Sequence, residues 1–173
     1  TRTGLNAATD LSFLRHSLDT YNEIAWFLKQ DYFMRVSDVD AAFPMLPFHP
    51  NLWPYMFFRF FAGEDQAMHL FVHLCGDFGT SDMPGVFKVF FVDVVVNMAR
   101  SFQVLTLPMP VYVDDMGLIG ELAYLVDSEM EHFHAWAETV CGVVFKGIKD
   151  KLAAQRQLML GFWWDSRSLT RTL

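Results

Sequence analysis

Two adjacent carboxylates, Asp114 and Asp115, lie between short apolar runs in Met109-Pro110-Val111-Tyr112-Val113-Asp114-Asp115-Met116-Gly117-Leu118-Ile119-Gly120. The pattern predicts a β-hairpin, with Val111 to Val113 running in, Leu118 and Ile119 running out, and Gly117 in the turn region. Neighbouring carboxylates at a hairpin tip repel one another. A divalent cation offsets that repulsion, because hard oxygen ligands suit Mg²⁺ and the ion favours the ionised form. Side chains alternate across a strand, so one of the pair can face a cleft while the other is aimed away. A solvated turn is the alternative reading, Asp being a common turn residue. A second acidic group, Asp38-Val39-Asp40, ends the apolar run that starts at Tyr32-Phe33-Met34. Side chains two apart share a strand face, which leaves Asp40 as a supporting group beside Asp38. His69, His73 and Cys75 share a strand face without an evident fourth ligand, so a polar face is preferred to a zinc site. His132 and His134 fall on different faces of a helix, and Trp163-Trp164 reads as packing rather than base stacking.

The elements that must position these groups follow from periodicity and punctuation. Residues 1–17 read as a loop with a short helical turn. Thr20-x-x-Glu23 is a capping box, and Tyr21, Ile24, Phe27 and Leu28 continue it as a helix to about Lys29 or Gln30. A strand then carries Phe33 and its aliphatic neighbours to Asp38. Pro44, Pro47 and Pro50 impose an extended, edge-like path, since each lacks a backbone donor. Tyr55–Phe61 and Met68–Cys75 form a hairpin with its turn at Gly63-Glu64-Asp65. Gly76–Gly85 is a glycine-rich loop, and Pro84 opens a helix to about Arg100 that is apolar nearly all round and therefore buried. Ser128-x-x-Glu131 marks another helix start, with Met130, Phe133, Ala137, Val140 and Cys141 as its stripe and Gly142 as its stop. Short strands follow at Val143–Phe145 and Leu158–Trp164. The mixture predicts an α+β fold with an antiparallel sheet and helices packed on one face.

The chain has 173 residues, 53% of them hydrophobic, which suffices for a core in one domain. Two cysteines make no disulfide framework, so a reducing intracellular compartment, cytoplasm or nucleus, is expected. The apolar stretch Val86–Met98 is interrupted by Lys88, Asp93 and Asn97 and is too short to span a membrane. The absence of an initiator Met suggests a fragment. With 13 basic residues against 20 acidic ones, the net charge of −7 argues against strong autonomous nucleic-acid binding, which draws on Lys and Arg.

Taken in order, five segments resemble the palm of a reverse transcriptase. The first is Asp38-Val39-Asp40-Ala41-Ala42-Phe43-Pro44 with the following Pro47-Phe48-His49-Pro50. The second is Phe78-Gly79 through Pro84-Gly85, the third Tyr112-Val113-Asp114-Asp115, the fourth Gly142-Val143-Val144-Phe145 with Lys149, and the fifth Leu160-Gly161-Phe162. The third is distinctive by itself; the others gain weight from their order. The resemblance runs from about residue 20 onward and is nearest in flavour to a retrotransposon enzyme of DIRS-like type.

The resemblance implies an antiparallel, ferredoxin-like polymerase palm over 32–173, with 1–31 a remnant of the fingers and the thumb and most of the fingers absent. It implies an RNA-directed DNA polymerase using two Mg²⁺ ions, with Mn²⁺ as a substitute, on an RNA or DNA template with primer and deoxynucleoside triphosphates. Partners would be the missing fingers and thumb of a parent polyprotein, with no membrane. Asp38 and Asp114 would bridge the ions, with Asp115 in support and the Val39 carbonyl completing a shell. A register two residues on would put Asp40 in the place of Asp38. Phe43 would lie beneath the incoming sugar and exclude a 2′-hydroxyl, with core packing as the alternative. Phe78 and Gly79 would pack on nucleotide and template, and Lys149 would protonate pyrophosphate. Gly76-Asp77 departs from the Leu-Pro of relatives and puts a negative charge by a phosphate path. That departure and the acidic balance support an alternative, a decayed or domesticated polymerase-like domain that binds or scaffolds without catalysis. An unrelated metal-dependent hydrolase would leave the glycine loop unexplained. For the polymerase reading, the Asp38 and Asp114 carboxylates must come together.

Overall fold

The computed structural model describes residues 20–62, 67–147 and 150–173. In chain order the elements are α1 (Thr20–Phe27), β1 (Phe33–Asp38), a 3₁₀ segment (Pro50–Tyr55), β2 (Phe57–Ala62), β3 (Ala67–Val72), α2 (Met83–Lys88), a π-helical segment (Val89–Val96), α3 (Asn97–Ser101), β4 (Val111–Tyr112), β5 (Asp115–Gly120), α4 (Ala123–Cys141), β6 (Arg156–Met159), β7 (Phe162–Asp165) and β8 (Thr170–Thr172). Helix and strand are mixed, and the paired strands among the described residues are antiparallel, as the α+β reading requires. The described chain divides into two compact units, 41–87 and the combination of 20–40 with 88–173.

The larger unit is built on the sheet β1-β5-β4. Its register pairs Phe33 with Gly120 at one end and Asp38 with Asp115 at the other. Alternation puts Met34 and Val36 on one face, where they join Ile24 and Leu28 of the α1 region, Ile119, Met159 and Trp164 in a buried cluster. Arg35, on the opposite face, is buried and forks onto Asp150, its Nε 2.9 Å from Oδ1 and its Nη2 2.6 Å from Oδ2. Its Nη1 donates to the Asp127 carbonyl and carboxylate of α4, each at 3.2 Å. A buried guanidinium is tolerable only because its donors are taken up in this way.

Several local expectations need correction. The turn of the β4–β5 hairpin is Val113-Asp114, with Tyr112 opposite Asp115, and Gly117 lies within β5. Gly117 is there for space: a Cβ on it would stand 3.0 Å from the Met159 sulfur and 3.3 Å from that of Met34. Thr20 does not act as expected in a capping box; its hydroxyl donates to the Val111 carbonyl at 2.9 Å, and α1 stops at Phe27. Helix α4 begins at Ala123, five residues before Ser128, because Val126 extends the buried stripe Met130, Phe133 and Ala137 by one turn. Val140 is exposed and Cys141 half-buried, so neither belongs to that stripe. Gly142 stops the helix in the left-handed conformation at φ 69, as the sequence indicated.

Residues 83–101 are helical, but Val89–Val96 winds as a π-helix. There Lys88 and Asp93, five apart, form an ion pair at 2.9 Å. The buried positions Phe87, Phe91, Val95, Val96 and Ala99 occupy one side, whereas Val89 and Val94 are exposed, so the helix is not buried all round. Val143–Phe145 contributes an isolated bridge, Phe145 to Val39, rather than a strand. Leu158–Trp164 is a hairpin, β6 turning into β7 through Leu160 and Gly161 at φ 54 and 78, the signs of a type I′ turn. The alternation of β7 buries Trp164 and turns Trp163 outward under the Arg156 guanidinium, 4.7 Å above its ring.

The 41–87 unit contains the expected β2–β3 hairpin, with Phe57 opposite Val72. The backbone of Pro47 bridges to Cys75, and the Gly76 N–H donates to the Leu46 carbonyl at 2.8 Å. The expected turn at 63–65 and the assignments on 1–17 lie outside the described residues.

Candidate active site

The end of β1 and the β4–β5 turn are tied together by backbone bonds. The Val39 N–H donates to the Asp114 carbonyl at 3.0 Å, fixing the turn against the residue that follows Asp38. On the other side of β1, the Lys146 N–H donates to the Asp38 carbonyl and the Asp40 N–H to the Val144 carbonyl, both at 2.8 Å. Asp38 is thus flanked by the Val113–Asp114 turn and by residues 144–146. The turn itself carries Val113 at φ 54, a sign that a β-branched residue rarely adopts and that glycine normally supplies at the first position of a two-residue hairpin loop.

These constraints bring three carboxylates to one sheet end. Asp38 and Asp115 are directly opposite in register and therefore share a face. The Asp38 side chain is fully buried, and Lys146 Nζ reaches its Oδ2 at 3.1 Å. Burial pushes the Asp114 carboxyl above its ordinary range, and the charges of Asp38 and Asp115 and a hydrogen bond with Asp38 push the same way. Asp38 and Asp114 therefore meet, whereas Asp40 is exposed. Like charges this close destabilise the fold unless something positive is supplied.

Among the described residues no three His, Cys, Asp or Glu side chains form a ready cation cage. The donor set nevertheless suits Mg²⁺, which is ordinarily held by one or two carboxylates, with water and substrate phosphates completing its octahedron. Asp38 and Asp114 supply that pair, and Asp115 supplies a further charge beside it.

Phe43 is buried in the 41–87 unit, its ring 4.9 Å from that of Phe78 and 6.1 Å from that of Phe87. Phe78 is 73% exposed and so offers most of its surface to solvent. Gly79 stands at φ 110, and a Cβ there would meet nothing within 4 Å, so backbone conformation rather than close approach accounts for the glycine. Asp77 is met by His73 Nε2 at 3.1 Å. Lys149 lies outside the described residues. Lys146, which sequence reasoning passed over, touches the Asp38 carboxylate; its signal was its place one residue after Gly142-Val143-Val144-Phe145. A pocket of about 550 Å³ in the larger unit is lined by Asp115, Val36, Lys151, Arg156, Met159 and Trp163.

No protein-family model matches the chain, and no curated protein matches it by sequence. Solved structures do share its fold. A foamy viral protease-reverse transcriptase in complex with double-stranded DNA superposes with a TM-score of 0.65 over 88% of this chain at 18% identity. A foamy viral protease-reverse transcriptase with an RNA/DNA hybrid gives 0.59 over 83% at 19% identity. The chain spans 24% and 18% of those two proteins, respectively. The fold is accordingly reverse-transcriptase-like.

Proposed function

We propose that the chain is the palm-containing part of an RNA-directed DNA polymerase of a retroelement, of DIRS-like retrotransposon type, with 32–173 as palm and 1–31 as a remnant of fingers. The observation that carries this reading is the meeting of Asp38 and Asp114, from segments far apart in sequence, at the end of one sheet in a reverse-transcriptase-like fold. The complexes of the foamy viral proteins with DNA and RNA/DNA hybrid support template and primer as partners.

In this reading Asp38 and Asp114 would hold two Mg²⁺ ions, with Asp115 adding charge beside them and the Val39 carbonyl as a further oxygen ligand. Bound there, the ions supply activation of the primer 3′-hydroxyl and neutralisation of the triphosphate and departing pyrophosphate. The chain's own task is positioning. The Val39–Asp114 backbone bond fixes the turn, so the two carboxylates are held before substrate arrives. Phe43, backed by Phe78 and Phe87, discriminates against a 2′-hydroxyl by steric conflict. Phe78 and Gly79 contact nucleotide and template, and Lys149 gives a proton to pyrophosphate.

Primer extension on an RNA template by the longer protein that contains this chain tests the assignment. Asp114→Asn is expected to lower extension by more than ~100-fold, beyond the loss typical of residues that only support a metal ligand. Extension at the wild-type rate would remove Asp114 from the site. A non-catalytic scaffold reading draws on the Lys146–Asp38 ion pair, which supplies positive charge without a metal. It predicts no Mn²⁺ binding that depends on Asp38 or Asp114.

A further inference from the structure

The Lys146 ammonium stands 3.1 Å from Asp38 Oδ2, and the carboxylate it touches has no exposed surface. An ion approaching Asp38 must therefore move a group that covers it. Two neighbours of that carboxylate are the Asp114 carboxyl and the Lys146 ammonium. Asp114 is held by the Val39 backbone bond and would itself be a ligand. Lys146 is 38% exposed on a flexible four-carbon stem, so of these two it is the one that can swing into water. Its charge repels an incoming cation for as long as it stays.

We propose that Lys146 is a tethered stand-in cation that neutralises the Asp38 side of the site when divalent metal is absent and must leave Asp38 before the metal binds, so that it sets the affinity of the site for divalent cations. The proposal rests on the polymerase reading for the placement of the metal at Asp38 and Asp114. It assigns Lys146 a positioning and regulatory role and gives it no part in proton transfer.

The two ideas separate in a titration of the full chain with Mn²⁺ alone, free Mn²⁺ being followed by its electron paramagnetic resonance signal without nucleotide or template. Wild type is expected to bind, and Asp114→Asn to abolish binding. Lys146→Met should tighten binding roughly tenfold, whereas Lys146→Arg, which keeps the charge, should stay near wild type. Lys146→Gln serves as a second neutral variant, each being checked for folding by circular dichroism. Without metal, the neutral variants should melt below wild type, and Mn²⁺ should close the gap. If Asp114→Asn abolishes binding while both neutral variants bind no tighter than wild type, the stand-in proposal falls and the metal site stands. If neither wild type nor the neutral variants bind Mn²⁺, both fall.

Discussion

A valine at φ 54 between Tyr112 and Asp114 puts its Cβ against the following carbonyl, a conformation that costs an L-residue about 1–2 kcal/mol. The surrounding structure enforces it: Tyr112 pairs with Asp115 on one side, and the Val39 N–H holds the Asp114 carbonyl on the other. Strain of this kind collects where geometry matters more than local comfort, and here it lies in the two-residue loop that aims Asp114 at Asp38. Replacing Val113 with Gly removes the clash but enlarges the entropy of the unfolded chain by about 0.5–1 kcal/mol. The balance favours the variant, so Val113→Gly is expected to raise stability by up to ~1 kcal/mol in urea denaturation. A comparable loss would show that Val113 contributes apolar contacts worth more than the strain.

At the scale of elements, two glycines distinguish rigid from yielding neighbours. A methyl at Gly76 would stand 2.6 Å from the Phe43 carbonyl oxygen and also strike the Met83 sulfur, and backbone cannot retreat as a side chain can. Gly76→Ala is expected to cost about 2–3 kcal/mol, while Gly117→Ala, which meets two flexible thioether ends, should cost under ~1 kcal/mol. Denaturation midpoints of the two variants check this, and equal losses would contradict it. The same contact gives the glycine at position 76 a cause in packing. Strand β1, the β2–β3 hairpin and the stop at Gly142 were legible because alternation, turn residues and a left-handed cap are local signals. The start of α4 was not, since Ser128-x-x-Glu131 satisfies a local rule that burial of Val126 overrides. Nor was the turn at Val113, where tertiary bonds impose a conformation that valine disfavours. Lys146 was missed for the same reason: its relation to Asp38 passes through the Val39–Phe145 bridge, between residues 106 positions apart in sequence.

For the molecule as a whole, charge limits what the chain can hold. Twenty acidic residues against thirteen basic ones give a net charge of −7, and the carboxylates concentrated around Asp114 add a local field that repels phosphate. Among the described residues, Lys146 meets Asp38, and Lys151 and Arg156 line the pocket shared with Asp115. Under the polymerase reading these three are, among the described residues, phosphate contacts beside the site. Each neutralised phosphate contributes about 0.9 to the slope of log affinity against log salt on duplex nucleic acid. Fluorescence anisotropy with a labelled primer–template is therefore expected to give weak binding by this chain, in the non-specific range of roughly 10⁻⁴–10⁻⁶ M, with a slope no steeper than about −3. Neutralising Lys151 and Arg156 together should flatten that slope by about 2. A slope near −6 in wild type, or one unmoved by the double substitution, would mean that nucleic acid is gripped by a basic surface elsewhere on the chain.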